Sequence, residues 1–293
     1  MIVYLNGRYV ERTRATVAVD DRGFLFGDGV YEVTRARNGR LFEPARHLRR
    51  LARGLDALAV ALPPALDSAA LLEISERLLR DNRLDDGDAT VYLQITRGAA
   101  EPRTHHFPPA GTPPTVLLSA NPLTVPDDVR ARGATAITTP DLRWERCDLK
   151  TVQLLANVLA KQQAVAAGAF EAILVRDGIA TEGASTNLLA VIDGAIRTHP
   201  ADHRILPGVT REVVLELATE LGVGASEVPL SVRELFGGGA SELFLTGTTV
   251  DVMPVVQVDG RAIGDRRPGP VARELHAALR ARLVRDTTRA PAL

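Results

Sequence analysis

The chain has 293 residues, is 45% apolar and 24% charged, and carries a formal net charge of −1. That length buries a substantial core and favours two domains over one, while the near-neutral charge argues against nucleic acid or an acidic membrane as partner, both of which call for a concentrated basic surface. The single cysteine, Cys147, excludes an intrachain disulfide and fits a reducing compartment. Residues 1–7 contain neither a basic leader nor an apolar run, so no signal peptide is expected. No stretch reaches the roughly 20 apolar residues of a membrane helix, and a cytoplasmic protein is expected.

The first hairpin is read from Val3-Tyr4-Leu5, Asn6-Gly7 and Tyr9-Val10, because Asn-Gly supplies the two positive φ angles of a type I′ turn. The glycine-rich run from Asp20 to Glu32 has the spacing of neither a dinucleotide fingerprint nor a P-loop, and predicts only sharp bends. A strand over 30–37 follows and turns at Asn38-Gly39. From Pro44, leucines at 48, 51, 55, 58 and 62 alternate steps of three and four, the spacing of an amphipathic helix that Pro63-Pro64 ends. Arginines 46, 49, 50 and 53 recur at helical spacing, and most of them read as its solvated face. A second helix runs from the Asp67-Ser68 cap to about Asn82, and strands over 91–96 and 115–120 complete the first domain. The loop between them, from Glu101 to Pro108, holds His105 and His106 without a partner at metal-ligand spacing, so no metal is expected.

Residues 121–127, with Pro122 and Pro126, read as a linker, giving domains 1–120 and 128–293. The second begins with a strand over 134–139, then reaches Lys150 and an alanine-rich helix over 151–167 stopped by Gly168. Strands over 172–176 and 188–192 flank the polar cluster Thr181-Glu182-Gly183-Ala184-Ser185-Thr186-Asn187, which taken alone reads as a bulged hairpin loop. Ile205 to Thr210 leads into a helix over 211–221 whose N-terminal N–H groups and hydroxyl cap suit an anion. A strand over 242–246 ends in Gly247-Thr248-Thr249, and a last helix over 270–284 precedes a polar tail expected to fray. Strands and helices alternate irregularly, so the class is mixed α and β.

Lysine usage singles out one position. Of 35 basic side chains only Lys150 and Lys161 are lysine, leaving 33 arginines. A lysine kept where arginine is otherwise preferred suggests a need for an amine that can lose its proton and attack a carbonyl. Lys161, eleven residues on, reads as a surface charge. An amine at a helix entrance, a helix N-terminus for a phosphate, a glutamate in a polar turn and threonines at a strand end together match the needs of pyridoxal 5'-phosphate.

On these residues the chain resembles the fold-type IV pyridoxal-phosphate-dependent transaminases, and is most similar to their D-amino acid branch. The landmarks are Gly27-Asp28-Gly29-Val30-Tyr31-Glu32, His47-Leu48-Arg49-Arg50-Leu51, Thr96-Arg97-Gly98, Pro102-Arg103-Thr104-His105, Arg143-Trp144 through Lys150, and Thr181-Glu182-Gly183. The resemblance implies a two-domain fold, a smaller N-terminal α/β domain and a larger C-terminal β-barrel-like domain with flanking helices. It implies Lys150 as the Schiff-base and proton-moving lysine, Glu182 opposite the pyridine nitrogen and Leu206 against the ring. Arg50, Val209, Thr210 and Thr248 would hold the phosphate, and Tyr31, Arg103 and His105 the substrate. Arg103 and His105 would reach across a homodimer interface to the substrate carboxylate.

The implied activity moves the amino group of D-amino acids such as D-alanine and D-glutamate to 2-oxo acids such as 2-oxoglutarate or pyruvate. A branched-chain L-amino acid aminotransferase, an (R)-amine transaminase and an aminodeoxychorismate lyase share the fold and stay open. So does a non-catalytic carrier of the cofactor, although Glu182 would serve a carrier little. Ala184 and Thr186 stand where the family favours serine, and Gly247 lacks a hydroxyl often found beside the phosphate.

Overall fold

The structure, a computed structural model, describes residues 1–288. The tail beyond Thr288 lies outside the described residues. The chain divides into two compact units. The first holds Met1–Thr124, Leu149–Gln153 and the stretch from Leu283; the second holds Val125–Asp148 and Leu154–Arg282.

In the first unit, β1 (Ile2–Leu5) and β2 (Arg8–Glu11) form the hairpin with Asn6 and Gly7 at φ +48° and +86°. A short helix α1 (Arg22–Phe26) is capped by Asp21, whose carboxylate accepts from Gly23 N at 2.8 Å, and ends at left-handed Gly27. Then come β3 (Gly29–Arg37), β4 (Arg40–Leu41), the helices α2 (Pro44–Ala57) and α3 (Ser68–Asp81), and the strands β5 (Asp88–Thr96) and β6 (Thr115–Pro122). The six strands make one antiparallel sheet in the order β2-β1-β6-β5-β3-β4. The leucine face of α2 and α3, including Leu51, Leu55, Leu71, Leu78 and Leu79, is buried with Val30, Val91, Leu93, Ile95 and Leu118 of the sheet. Gly54 lets α2 come close, since a Cβ there would stand 3.0 Å from Val30 Cγ1.

Two details depart from the sequence expectations. Helix α2 stops at Ala57, well short of Pro63-Pro64, because Ala59 turns to φ +51° and Arg97 claims the carbonyls of Leu58 and Ala59 at 2.6 and 3.1 Å. Arg50 is not on a solvated face: its side chain is 8% exposed.

The second unit opens with α4 (Asp127–Arg132) and β7 (Ala134–Pro140), then α5 (Leu155–Ala166). Next are β8 (Glu171–Arg176), β9 (Ile179–Gly183), β10 (Asn187–Ile192) and β11 (Ala195–Thr198), followed by α6 (Val209–Glu220). The strands β12 (Ala225–Glu227) and β13 (Leu230–Ser231), the helix α7 (Val232–Phe236), then β14 (Ala240–Gly247), β15 (Asp251–Val258), β16 (Arg261–Ala262) and, as far as Arg282, α8 (Pro270–Thr287) complete it. The ten strands form one mixed sheet, β12-β11-β10-β14-β15-β7-β8-β9-β13, with β16 on β15. β9 and β10 are not neighbours in that order, yet residues 184–186 alone join them, and Gly183 N donates to Thr186 O at 2.7 Å. The sheet therefore curls towards a barrel, and the polar turn sits where its path bends back. Leu188, Ala190, Leu243, Leu245, Met253 and Val255 fill its apolar interior.

Candidate active site

In the first unit, Lys150 is not at a helix entrance as its sequence suggested. Residues 149–153 run beside β3: Tyr31 N donates to Lys150 O at 3.0 Å, Val152 N to Gly29 O at 3.0 Å, and Val30 bridges Thr151. That pairing delays α5 to Leu155. Lys150 Nζ then lies 3.2 Å from the Tyr31 phenol oxygen and 4.2 Å from the centre of its ring.

Tyr31 and Glu32 are adjacent on β3 and so point to opposite faces. Glu32 is 2% exposed and accepts from Arg50 Nε and Nη2 at 2.7 and 2.8 Å and from His47 Nδ1 at 2.8 Å. Burial alone would raise its pKa, but the Arg50 charge and hydrogen bonds, helped by His47, hold it down at about 2. Burial also depresses His47 against the pull of Glu32, so a neutral imidazole donates from Nδ1. The structure thus places Arg50, proposed at the phosphate, on a buried carboxylate that fixes its guanidinium.

The loop carrying Arg103 and His105 is exposed but anchored. Arg103 stacks 4.4 Å from the centre of the Phe26 ring, and His105 lies 5.6 Å from it, ring to ring. Arg22 donates to the loop carbonyls of Thr104 at 2.7 Å and His105 at 3.4 Å. Arg22 is held in turn by Asp28, 2.9 Å away, whose carboxylate also takes a bidentate pair from Arg97 at 2.8 and 3.0 Å. Burial works to raise Asp28, yet Arg97 and Arg22 outweigh it and keep the group below the usual carboxylate range. Asp28 was visible in the sequence only as part of a glycine-rich run.

In the second unit, Glu182 is the penultimate residue of β9 and is buried. It accepts from Arg143, from Asn187 Nδ2 at 2.9 Å and from Leu206 N at 3.1 and 3.2 Å. Arg143 divides its donors between Glu182, Asp141 and the Arg204 carbonyl. Burial pushes Glu182 up to about 7 in spite of Arg143. A carboxylate so buried gains from one more cation, and a protonated pyridine nitrogen is such a group.

Leu206 follows through its backbone N–H, and Asn187 Nδ2 fixes the same stretch by donating to Leu206 O at 2.8 Å. Gly208 then begins α6 without a side-chain cap, so the expected hydroxyl cap is absent and the N–H groups of Val209 and Thr210 stay available to an anion. The hydroxyls of Thr210 and Thr248 make no hydrogen bond among the described residues, and the buried Thr246 Oγ1 has no partner either. Free donors at a helix N-terminus, beside a buried carboxylate in need of positive charge, fit the phosphate and the ring of pyridoxal phosphate. Thr186 keeps the hydroxyl function of a serine by bonding Glu171 at 3.2 Å, whereas Ala184 packs among Ala160, Ala164, Ala172 and Leu174. Among the described residues no group of three His, Cys, Asp or Glu could hold a metal ion, and no helix is long and apolar enough to cross a membrane.

Sequence reasoning missed Arg143, Asn187 and Thr246. Asn187 could have been found as the last member of the polar cluster, and Arg143 as a neighbour of the lysine run. Nothing in the sequence marks Thr246.

The chain belongs to the class IV aminotransferases: the Amino-transferase class IV model matches residues 29–258. Over 289 residues, 99% of each chain, it is 41% identical to a D-alanine aminotransferase of Bacillus licheniformis. It is 39% identical to a D-alanine aminotransferase of Listeria monocytogenes over 94% of each chain. Among solved structures it resembles the branched-chain amino acid aminotransferase of Escherichia coli, with a TM-score of 0.85, 27% identity and coverage of 99% and 97%. It equally resembles the T.th. branched-chain amino acid aminotransferase complexed with N-(5'-phosphopyridoxyl)-L-glutamate, with a TM-score of 0.85, 29% identity and coverage of 99% and 95%.

Proposed function

We propose that this protein is a pyridoxal-phosphate-dependent D-amino acid transaminase, moving the amino group of D-alanine or a related D-amino acid to a 2-oxo acid. The observation that carries the reading is near-full-length identity of about two residues in five to D-alanine aminotransferases, against lower identity to the branched-chain enzymes of the same fold. Bound, the cofactor supplies an electron sink at the substrate α-carbon.

The chain's own residues take the remaining roles. Lys150 Nζ holds the cofactor, then receives and returns the α-proton from its seat on Tyr31. Glu182 keeps the ring nitrogen protonated, and Leu206 packs on the ring. The start of α6 at Val209 and Thr210, with Thr248 and Arg50, holds the phosphate. Arg103 and His105 grip the substrate carboxylate, the guanidinium fork matching its plane.

The proposed assembly is a homodimer in which that loop serves the neighbouring copy. Exposure of Arg103, His105 and the apolar residues Leu155, Val158 and Leu159 of α5 supports it. A cytoplasmic location belongs to the same proposal and rests on the lone, buried Cys147. The test is a donor panel of both hands, read as bleaching of the cofactor's visible band in single half-reactions. D-alanine should react and L-leucine should not; brisk L-leucine turnover with none of D-alanine would establish the branched-chain reading instead. Sedimentation at micromolar concentration tests the dimer.

A further inference from the structure

Glu171, the first residue of β8, is fully buried, and none of the roles above uses it. Burying a carboxylate costs several kcal/mol unless donors surround it, and here five do. Oε1 accepts from Lys161 Nζ at 3.2 Å and Ala172 N at 3.0 Å. Oε2 accepts from Ser185 N at 3.3 Å, Ser185 Oγ at 2.8 Å and Thr186 Oγ1 at 3.2 Å. Lys161 is therefore not the bare surface charge its sequence suggested. Its amine also donates to Phe170 O at 2.5 Å and lies 5.0 Å from the centre of the Phe170 ring.

The bonds on Oε2 all go to one turn. Gly183 leaves no room beside it, since a Cβ would stand 2.2 Å from Thr186 Oγ1 and 3.0 Å from Glu171 Cγ. On the outer side of the turn, Asn157 Nδ2 donates to Ala184 O at 2.8 Å. The residues at the two ends of this clamped turn are Glu182 and Asn187, which bond each other at 2.9 Å. An apolar side chain would fill the space of Glu171 more cheaply, but it could not hold two hydroxyls and an N–H at once.

We infer that Glu171, paired with Lys161, is a positioning residue that clamps the turn of residues 183–186 and so presents Glu182 and Asn187 together to the cofactor ring. The inference rests on the role proposed for Glu182. It separates function from packing: a clamp that only braced the fold would change stability and leave the ring nitrogen's surroundings as they were.

Holoenzymes of the wild type, E171Q, K161M, the double variant and S185A are compared by three readings. These are the pyridoxal phosphate dissociation constant, the pH midpoint of the cofactor's visible band, and Tm. A glutamine amide cannot accept on both ends, so E171Q should weaken cofactor binding roughly tenfold, the loss of one charge-assisted bond, and move the band midpoint. K161M should act in the same direction, and the double variant should cost no more than E171Q alone. S185A, which removes one donor and spares the carboxylate, should give a smaller change of the same sign. Wild-type affinity and midpoint in E171Q overturn the inference whatever its Tm. Should E171Q not fold, an unchanged titration of S185A overturns it, and additive losses in the double variant overturn the pairing with Lys161. Wild-type protein that takes up no cofactor overturns the reading of Glu182, and this inference with it.

Discussion

Tyr31 and Lys150 are tied at both backbone and side chain: the Tyr31 N–H donates to the Lys150 carbonyl at 3.0 Å, and Lys150 Nζ meets the Tyr31 phenol oxygen at 3.2 Å. The backbone bond fixes the lysine Cα against β3, so the amine's reach is set by a strand rather than by a mobile loop. K150A should abolish multiple turnover while pyridoxal phosphate still binds. Y31F removes the oxygen that seats the amine and should lower the single-turnover rate by roughly 10- to 100-fold with cofactor binding intact. Stopped-flow half-reactions check both, and wild-type rates in Y31F would remove the phenol from the chemistry.

Glu182 makes stability depend on pH. Its folded pKa of about 7 lies above the ordinary 4.5, so the native cofactor-free protein binds more protons than the unfolded chain between those values. The contribution of Glu182 to stability is therefore fully present below about 4.5 and is lost as pH rises through 7. Urea titrations of cofactor-free protein should show this decline, and E182Q should flatten it. In the holoenzyme a protonated ring nitrogen opposite the carboxylate should flatten it as well. A decline identical in E182Q would assign it to another group.

Much of this was legible in local sequence. The Asn6-Gly7 hairpin and the Asp67 cap act over a few residues and form as expected, and the leucine spacing of α2 holds at 48, 51 and 55, up to the early end of the helix at Ala57. What was not legible depends on partners far along the chain. Arg97 ends α2 by taking carbonyls some forty positions away, β3 draws residues 149–153 out of α5, and Glu171 gives Lys161 its partner across a loop. The site residues were named from motif resemblance, but the groups that orient them, Arg143, Asn187 and Asp28, answer to the curl of a sheet or the seating of a loop.

Asp28 anchors the loop bearing Arg103 and His105 through Arg22. D28N leaves two enclosed guanidiniums with a weakened partner, so it should destabilise the protein by on the order of 3 kcal/mol. It should also raise KM for α-carboxylate donors more than it lowers kcat, because the loop bearing Arg103 and His105 loosens. Chemical denaturation and steady-state kinetics check the two effects. An unchanged KM would detach Asp28 from the loop.

Gly208 is required by contact rather than by its own torsion angles. A Cβ there would stand 1.9 Å from Asn187 Oδ1, so G208A must displace the side chain that bonds both Glu182 and Leu206 O. Overpacking of this kind costs about 1–3 kcal/mol. Cofactor affinity should fall with it, as measured by equilibrium dialysis. Wild-type affinity in G208A would show that Asn187 is free to move without consequence.

The handedness of the donor separates a D-amino acid transaminase from a branched-chain L-amino acid aminotransferase. Purified holoenzyme mixed with D-alanine, in the absence of any 2-oxo acid, should lose its visible cofactor band in a single exponential and regain it on addition of 2-oxoglutarate. L-alanine and L-leucine at the same concentration should leave the band unchanged. Bleaching by L-leucine but not by D-alanine would contradict the account.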